Sequence, residues 1–130
     1  MGSFQNKRNF TRVEYSEGAS IRYGDCIVFG RIQDLSLCGF FICTDTEDEI
    51  PSNQPVQVTV YQSADRSFKL NAQAVHCEAN GIGFQICAID VNSFGSLRNI
   101  IEDRCGNQSQ IMNETYKMLG KIKDISDQTH

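Results

Sequence analysis

The feature that most constrains the fold is a strict alternation of apolar and polar residues in the middle of the chain. Val56–Tyr61 has the sequence VQVTVY, and Phe68–Val75 repeats the alternation. A repeat of two residues places successive side chains on opposite faces of a β-strand, whereas a helix needs a repeat of about 3.6 residues. The middle of the chain is therefore predicted to form β-strands that are buried on one face.

The strand-like pattern continues on both sides of these two segments, over residues 13–89. The dipeptide Asn80-Gly81 predicts a tight hairpin turn of the primed type. About six short strands joined by turns predict a mainly β fold, a six-stranded antiparallel barrel whose closure removes exposed strand edges. The other predicted strands are Cys26–Leu35, Gly39–Thr44 and Ile82–Ile89.

Two helices are predicted after the barrel. Ser93 is a suitable N-cap for the first, which is predicted to end at Cys105-Gly106. The apolar residues at helical spacing in this helix are Phe94, Leu97, Ile100 and Ile101. The second helix is predicted to run from Ser109 to about Ile125, with an apolar stripe formed by Met112, Tyr116, Leu119 and Ile122.

A chain of 130 residues has the length of one domain. The sequence predicts a polar, flexible N-terminal arm over residues 1–12, a β-barrel over residues 13–92 and C-terminal helices over residues 93–125. The arm has few apolar residues with which to offset the entropy cost of its own ordering.

The balance of charge argues against nucleic acids as partners. The chain has 12 basic and 16 acidic residues and a formal net charge of -4. DNA and RNA are therefore not expected as partners, because binding a phosphate backbone needs a basic surface.

No apolar run is long enough to span a membrane and the N-terminus lacks a hydrophobic signal, so we expect no membrane insertion and a cytoplasmic location.

Other site chemistry is not favoured by the sequence. The six cysteines contain no C-x-x-C pair, so we expect free, buried thiols rather than disulfides or a metal site. His76 lies in an alternating strand and is expected to be a structural or surface residue rather than a catalyst. The acidic run of residues 45–49 lacks the spacing of a calcium loop and is expected to be a solvated loop.

Two short motifs occur in a fixed order in the first part of the chain. Arg8 and Arg12 form R-x-x-x-R on the arm, and Asp34, Ser36 and Gly39 form D-x-S-x-x-G after a strand. Each motif alone is weak evidence for a binding site, because solvated arginines and an ordinary turn are common alternatives. Guanidinium groups, however, bind phosphate oxygens and match the O6/N7 edge of guanine.

The second motif complements the first. The carboxylate of Asp34 can accept hydrogen bonds from N1 and N2 of guanine, and Ser36 can donate one to a phosphate oxygen. Gly39 has no Cβ, so the backbone can come close to a ligand. The two motifs together predict a site for a ligand that carries both phosphates and guanine.

The motifs, the aromatic strand that begins at Gly39 and the hairpin of residues 80–84 together resemble the signature of PilZ domains, over residues 5–103. The resemblance implies a bacterial receptor for cyclic diguanylate (cyclic di-GMP) that is a binding module and not an enzyme, with no cofactor. It also implies that the five motif residues bind the nucleotide while the arm wraps it: Arg8, Arg12, Asp34, Ser36 and Gly39. A related cyclic dinucleotide with one adenine stays open as a ligand.

In PilZ domains the residue before R-x-x-x-R influences how many nucleotides bind. Here it is Lys7, whose charge would offset that of a second nucleotide, so we expect two nucleotides per chain. Ordering of the arm would relay binding to a downstream protein partner. The alternatives are a degenerate PilZ-like adaptor that acts without a nucleotide and an enzyme that uses a reactive cysteine.

Overall fold

The computed structural model describes residues 10–44 and 50–123. Within these residues eight strands form one sheet, and seven of them precede two helices. These seven strands are β1 (Val13–Glu14), β2 (Gly18–Tyr23), β3 (Cys26–Leu35), β4 (Gly39–Cys43), β5 (Val56–Ser63), β6 (Arg66–Glu78) and β7 (Gly81–Asp90). The remaining elements are α1 (Val91–Cys105), α2 (Gln108–Lys117), a 3-10 turn (Leu119–Lys121) and β8 (Ile122–Lys123).

Six of the strands close into an antiparallel barrel. Its strands follow the order β3-β2-β5-β6-β7-β4, and β4 pairs back to β3. The strands β1 and β8 lie outside this ring: β1 pairs with the end of β3, and β8 runs parallel to the end of β7. The predicted fold, a six-stranded barrel followed by two helices, is confirmed.

The alternation of side chains explains how the barrel is filled. In β5, Val56, Val58 and Val60 are buried while Gln57 and Tyr61 are exposed. Neighbouring strands repeat this pattern, and α1 packs against β1, β6 and β7. Side chains with almost no exposed surface include Ile21, Ile32, Leu35, Leu37, Ile42, Ile86, Leu97 and Ile101.

The first helix begins earlier than the sequence suggested. Its N-cap is Asp90, whose Oδ2 accepts a hydrogen bond from the backbone N–H of Ser93 at 3.0 Å. Ser93 therefore lies inside the first turn, and the prediction that it caps the helix was wrong. The predicted end is confirmed, because Gly106 takes a left-handed conformation (φ 69°) and its N–H donates to the carbonyl of Glu102 at 3.0 Å.

The second helix is shorter than predicted and turns a different face inward. It ends at Lys117, because Ile122 pairs in parallel with Ile89 of β7 and the chain must leave the helix to reach it. Ile111, Thr115 and Met118 are buried. The expected core stripe lies one position further along and is largely on the surface, with Met112, Tyr116 and Leu119 exposed and Ile122 partly buried.

The hairpin between β6 and β7 also differs from its prediction. Glu78 pairs with Gly81, so the two turn residues are Ala79 and Asn80. Neither has a positive φ, which excludes the type I′ turn that Asn-Gly suggested. Gly81 is required for another reason: a Cβ there would lie 2.5 Å from both the carbonyl oxygen of Ile42 and the ring of Phe41.

All six cysteines are free, but none of them is buried. Cys26 and Cys77 are exposed, and the other four are partly buried. The expectation of buried thiols was wrong. Several of these cysteines lie in turns or at strand positions whose side chains point away from the core. Among residues 10–44 and 50–123, no three side chains of the His, Cys, Asp or Glu type cluster closely enough to hold a metal ion.

Gly39 lies where β4 comes closest to β7. A Cβ at this position would fall well inside the contact distance of the carbonyl oxygen of Phe84, which belongs to the backbone and cannot rotate away. Gly39 and Gln85 are direct partners in the β4–β7 ladder. The strand that closes the barrel therefore needs glycine at its first residue.

We expect Gly39→Ala to lower the free energy of unfolding by about 1–3 kcal/mol, because the added methyl forces the two strands apart. Gly95→Ala is a suitable control, since a Cβ at that helical position meets no atom within 4 Å. The control should raise stability by about 0.5–1 kcal/mol. Urea denaturation followed by circular dichroism measures both changes, and an unchanged midpoint for Gly39→Ala would contradict the packing argument.

Candidate functional site

A β-bulge turns Asp34 toward the outside of the barrel. Ile32 of β3 pairs with Ile42, but Asp34 pairs with Phe41, so Gln33 is an extra residue on this strand. Strict alternation after buried Ile32 would have turned Asp34 inward. Bulges of this kind redirect side chains, and Asp34 is only partly buried while Leu35 faces the core.

The structure brings Arg12 of the first motif close to Asp34 of the second. Nη1 of Arg12 lies 3.4 Å from Oδ1 of Asp34, with 48% of the arginine side chain and 25% of the aspartate side chain exposed. An exposed ion pair of this length contributes about 0–1 kcal/mol to stability. Arg12 and Asp34 are therefore adjacent and easily separated. Arg8 and Lys7 lie outside the described residues, as does the acidic run of residues 45–49.

Ser36 lies inside the turn between β3 and β4 rather than on its surface. Only 2% of the residue is exposed, and its hydroxyl donates to the carbonyl of Gly39 at 3.1 Å. The same oxygen accepts from the N–H groups of Cys38 and Gly39 at 3.3 and 3.2 Å. The turn is held to β7 by a bond from the N–H of Ile86 to the carbonyl of Cys38 at 2.8 Å. These contacts make Ser36 a residue that shapes the loop after Asp34.

Two aromatic side chains lie on the same outer face as Asp34, and the sequence did not single this surface out. Phe41 is the partner of both Asp34 and Gly83, and Gly83 is in turn the partner of His76. Directly opposed residues point to the same face of a sheet, so Asp34, Phe41 and His76 share the outer face. A Cβ at Gly83 would lie 3.5 Å from Cβ of His76 and 3.8 Å from the ring of Phe41, so this glycine lies between the two side chains. Aromatic side chains on a protein surface can stack on a planar base.

His76 is a surface residue, as its strand position suggested. Its Nε2 lies 2.7 Å from Oε2 of Glu78, and about half of each side chain is exposed (55% and 52%). The signal that could have identified this surface is the pair of glycines, Gly81 and Gly83, on a strand whose other positions carry larger side chains.

An open groove of about 620 Å³ lies at the other end of β4. It is bordered by Cys43, the last residue of β4, whereas the motif turn contains Gly39, the first. The groove is therefore separate from the Arg12–Asp34 pair. Its lining residues are Phe29, Gly30, Arg31, Cys43, Thr44, Ala79 and Asn80.

Tyr15 fixes the strand that follows the arm. Its hydroxyl donates to the carbonyl of Tyr61 at 3.2 Å, and the guanidinium carbon of Arg104 lies 5.1 Å from the centre of its ring. Burial raises the pKa of the Tyr15 phenol above its ordinary value, with a smaller contribution from Glu17, so the hydroxyl stays a donor at neutral pH. Tyr15 thus connects the end of β1 to β5 and to α1. Arg12, which directly precedes β1, is therefore attached to a strand that is held in place.

In the parts of the chain that the structure describes, no helix has the length and apolar character needed to cross a membrane.

Comparison with solved structures shows several PilZ domains of the same fold. The PilZ domain of YcgR from Escherichia coli, solved with c-di-GMP, is 15% identical and superposes with a TM-score of 0.61 over 86% of this chain and 96% of that one. The PilZ domain of CeSA from a cellulose-synthesizing bacterium is 16% identical, with a TM-score of 0.58 over 70% of this chain and 94% of that one.

A third similar structure is the inhibitor of motility MotI/DgrA from Bacillus subtilis. It is 9% identical, with a TM-score of 0.60 over 71% of this chain and 47% of that one. At such identities these similarities show the fold alone. No curated protein matches the sequence.

The family model of the PilZ domain matches residues 6–103, a range that includes both motifs, every strand of the closed barrel and most of α1. Because this match covers most of the chain and the barrel has the fold of the solved PilZ domains, the protein belongs to the PilZ domain family.

Proposed function

We propose that this protein binds cyclic di-GMP on the outer surface of the barrel and acts as a receptor without catalysis. PilZ domains are binding and adaptor domains, and the family is one of cyclic di-GMP receptors. The observation that supports the proposal for this chain is the distance of 3.4 Å between Arg12 and Asp34, because one residue of each motif then lies on the same face.

The nucleotide would replace the contact between Arg12 and Asp34 with better ones. The guanidinium of Arg12 would bind a phosphate oxygen or the O6/N7 edge of guanine, and Arg8 would supply the second fork. The carboxylate of Asp34 would accept from N1 and N2 of guanine. Little is lost in this exchange, since the existing ion pair is long and partly exposed.

Ser36 and Gly39 would contribute in a different way. The contacts of the Ser36 hydroxyl within the turn support a role in holding Asp34 and the following backbone in place. The close packing of Gly39 against Phe84 supports a role in closing the barrel below the site. Direct contact of either residue with the nucleotide stays a prediction.

The relay by ordering of the arm also stays a prediction. The flexible arm expected over residues 1–12 does not include Phe10 and Thr11, because Phe10 packs against the core and Thr11 is hydrogen-bonded to α2; residues 1–9 lie outside the described residues. We propose that binding changes the surface formed by the arm and α2, and that a partner protein recognises the change. The alternative, an adaptor that binds no nucleotide, is retained as an outcome of the titration described next.

Calorimetric titration should show tight binding of cyclic di-GMP, weaker binding of cyclic GMP–AMP and little binding of cyclic di-AMP. Adenine presents a donor at position six where guanine presents an acceptor, so an arginine fork cannot pair with it. Equal heats for the three nucleotides would refute guanine recognition. No heat with any of them would favour the adaptor.

Arg12→Ala and Asp34→Ala should each weaken binding of cyclic di-GMP by tenfold or more. A charge-assisted pair contributes roughly 1–3 kcal/mol, and about 1.4 kcal/mol corresponds to a factor of ten. Asp34→Ala should also reduce the preference for guanine over adenine, because the acceptor for N1 and N2 is lost.

Arg22→Ala and Asp25→Ala are matched controls for these two variants. Both residues are exposed and lie near the start of β3, while Asp34 lies near its end. The controls should bind like the parent protein. If Arg12→Ala and Asp34→Ala also bind like the parent, the proposed site is in the wrong place.

Lys7 is the basis of a prediction about stoichiometry. We expect the parent protein to bind two nucleotides per chain and Lys7→Leu to bind one, because the cation would offset the repulsion between two stacked dinucleotides. The ratio is measured by titration at protein concentrations well above the dissociation constant. A ratio of one for the parent protein would contradict the prediction.

A further inference from the structure

Among the described residues outside the motifs, Glu114 on α2 has an almost fully buried carboxylate. Only 2% of Glu114 is exposed, although it is ionisable and lies on a helix of the surface layer. A carboxylate that is removed from water needs hydrogen-bond donors, since burial of an unpaired charge is strongly unfavourable. The donors to this group therefore indicate what it does.

Two of these donors come from the arm. The backbone N–H of Thr11 donates to Oε1 of Glu114 at 2.8 Å, and the hydroxyl of Thr11 donates to Oε2 at 2.6 Å. Gln110, one turn earlier on α2, donates from Nε2 to Oε2 of Glu114 at 3.2 Å and to the hydroxyl oxygen of Thr11 at 3.0 Å. The three side chains form a closed set that joins positions 103 residues apart in the sequence.

A second contact joins the same two segments. The ammonium of Lys117 lies 5.7 Å from the centre of the Phe10 ring. Gln110, Glu114 and Lys117 are spaced by four and three residues, so they form one stripe along α2. This stripe, next to the stripe that faces the core, is in contact with residues 10–11.

Packing of the core alone does not explain a carboxylate at this position. An apolar side chain would fill a buried position on α2 without the cost of removing a charge from water. The carboxylate is stabilised by two donors of Thr11 and by Nε2 of Gln110, so most of its hydrogen bonds come from the arm. Thr11 lies within R-x-x-x-R, directly before Arg12, and Arg12 lies 3.4 Å from Asp34.

We propose that Glu114 is a positioning residue for nucleotide binding: it fixes Thr11 on α2 and thereby presents Arg12 at Asp34. The inference rests on the proposed function and extends the site to the C-terminal helix. Because the arm is already held at Thr11, the entropy cost of placing Arg12 is paid before the nucleotide arrives.

Two variants weaken the contact between Thr11 and Glu114 and leave Arg12 and Asp34 unchanged. Thr11→Val keeps the shape of the side chain and the backbone N–H but loses the hydroxyl that donates to Oε2. Glu114→Gln keeps the size of the side chain but removes its charge and one acceptor. With its oxygen on the Thr11 N–H, its amide nitrogen faces the Thr11 hydroxyl, which must turn from donor to acceptor, and Nε2 of Gln110, which loses its acceptor. Each variant should weaken binding of cyclic di-GMP by about fivefold, the effect of losing one good hydrogen bond.

Thr59→Val is the matched control, because Thr59 is partly buried on β5 and has no part in this contact. Its affinity for cyclic di-GMP should equal that of the parent. Thermal unfolding of all variants separates a loss of affinity from a loss of fold.

A double-mutant cycle distinguishes the positioning of Arg12 from a merely structural role of Glu114. If Glu114 acts through Arg12, Thr11→Val should have no further effect on affinity once Arg12→Ala is present. A structural defect would weaken binding by the same factor in both backgrounds. Amide exchange of Thr11 in the nucleotide-free protein should be slow in the parent and faster in Glu114→Gln.

The outcomes separate this inference from the proposed function. If the parent binds cyclic di-GMP and both variants bind it more weakly only when Arg12 is intact, the proposed function and the positioning role are both supported. Binding by the parent with unchanged or tighter binding by the variants overturns the positioning role alone. If the parent does not bind cyclic di-GMP, the proposed function fails and the positioning role with it, and slow exchange at Thr11 would then report only a structural contact.

Discussion

The barrel closes through β4, a strand of only five residues, and the candidate site depends on this closure. β4 pairs with β3 on one side and with β7 on the other, so its backbone is held closely from both directions. Gly39 and Gly81 lie at positions where a Cβ would strike backbone atoms of the neighbouring strand. The turn that leads into β4 carries Ser36, and the bulge that turns Asp34 outward lies on the strand paired with β4.

The sequence predicted the strands well because burial on one face leaves a period of two in the residues themselves. Val56–Tyr61 shows that period without interruption, and β5 contains it. The bulge at Gln33 could not be predicted, because it depends on the pairing of Asp34 with Phe41 rather than on the local pattern of β3. The hairpin after β6 was misassigned for a similar reason, since Gly81 is needed for contact with β4 and not for a positive φ.

The inward face of α2 shows the same limit in a helix. Met112, Tyr116 and Leu119 have helical spacing and look like a core stripe, but the buried residues are Ile111, Thr115 and Met118. Two non-local contacts accompany this orientation: Glu114 binds the arm, and Ile122 pairs with β7. Neither leaves a local signal in the sequence. For the site, the prediction that both motifs serve one ligand implied that Arg12 and Asp34 lie near each other, whereas nothing in the sequence indicated the packing of Ser36 and Gly39.

Polar residues and glycines in a short motif can serve the fold and a ligand at once, and this chain shows how the two are divided. The hydroxyl of Ser36 is used inside the turn, and Gly39 is used against Phe84. Arg12 and Asp34, by contrast, have one weak contact with each other, and about half of the first side chain and a quarter of the second are exposed. Groups with strong contacts build a rigid frame, and groups with weak contacts can exchange partners at little cost in free energy. The arm joins these two kinds of residue within two positions, because Thr11 is bound to a buried carboxylate while Arg12 beside it is almost free to turn toward a ligand.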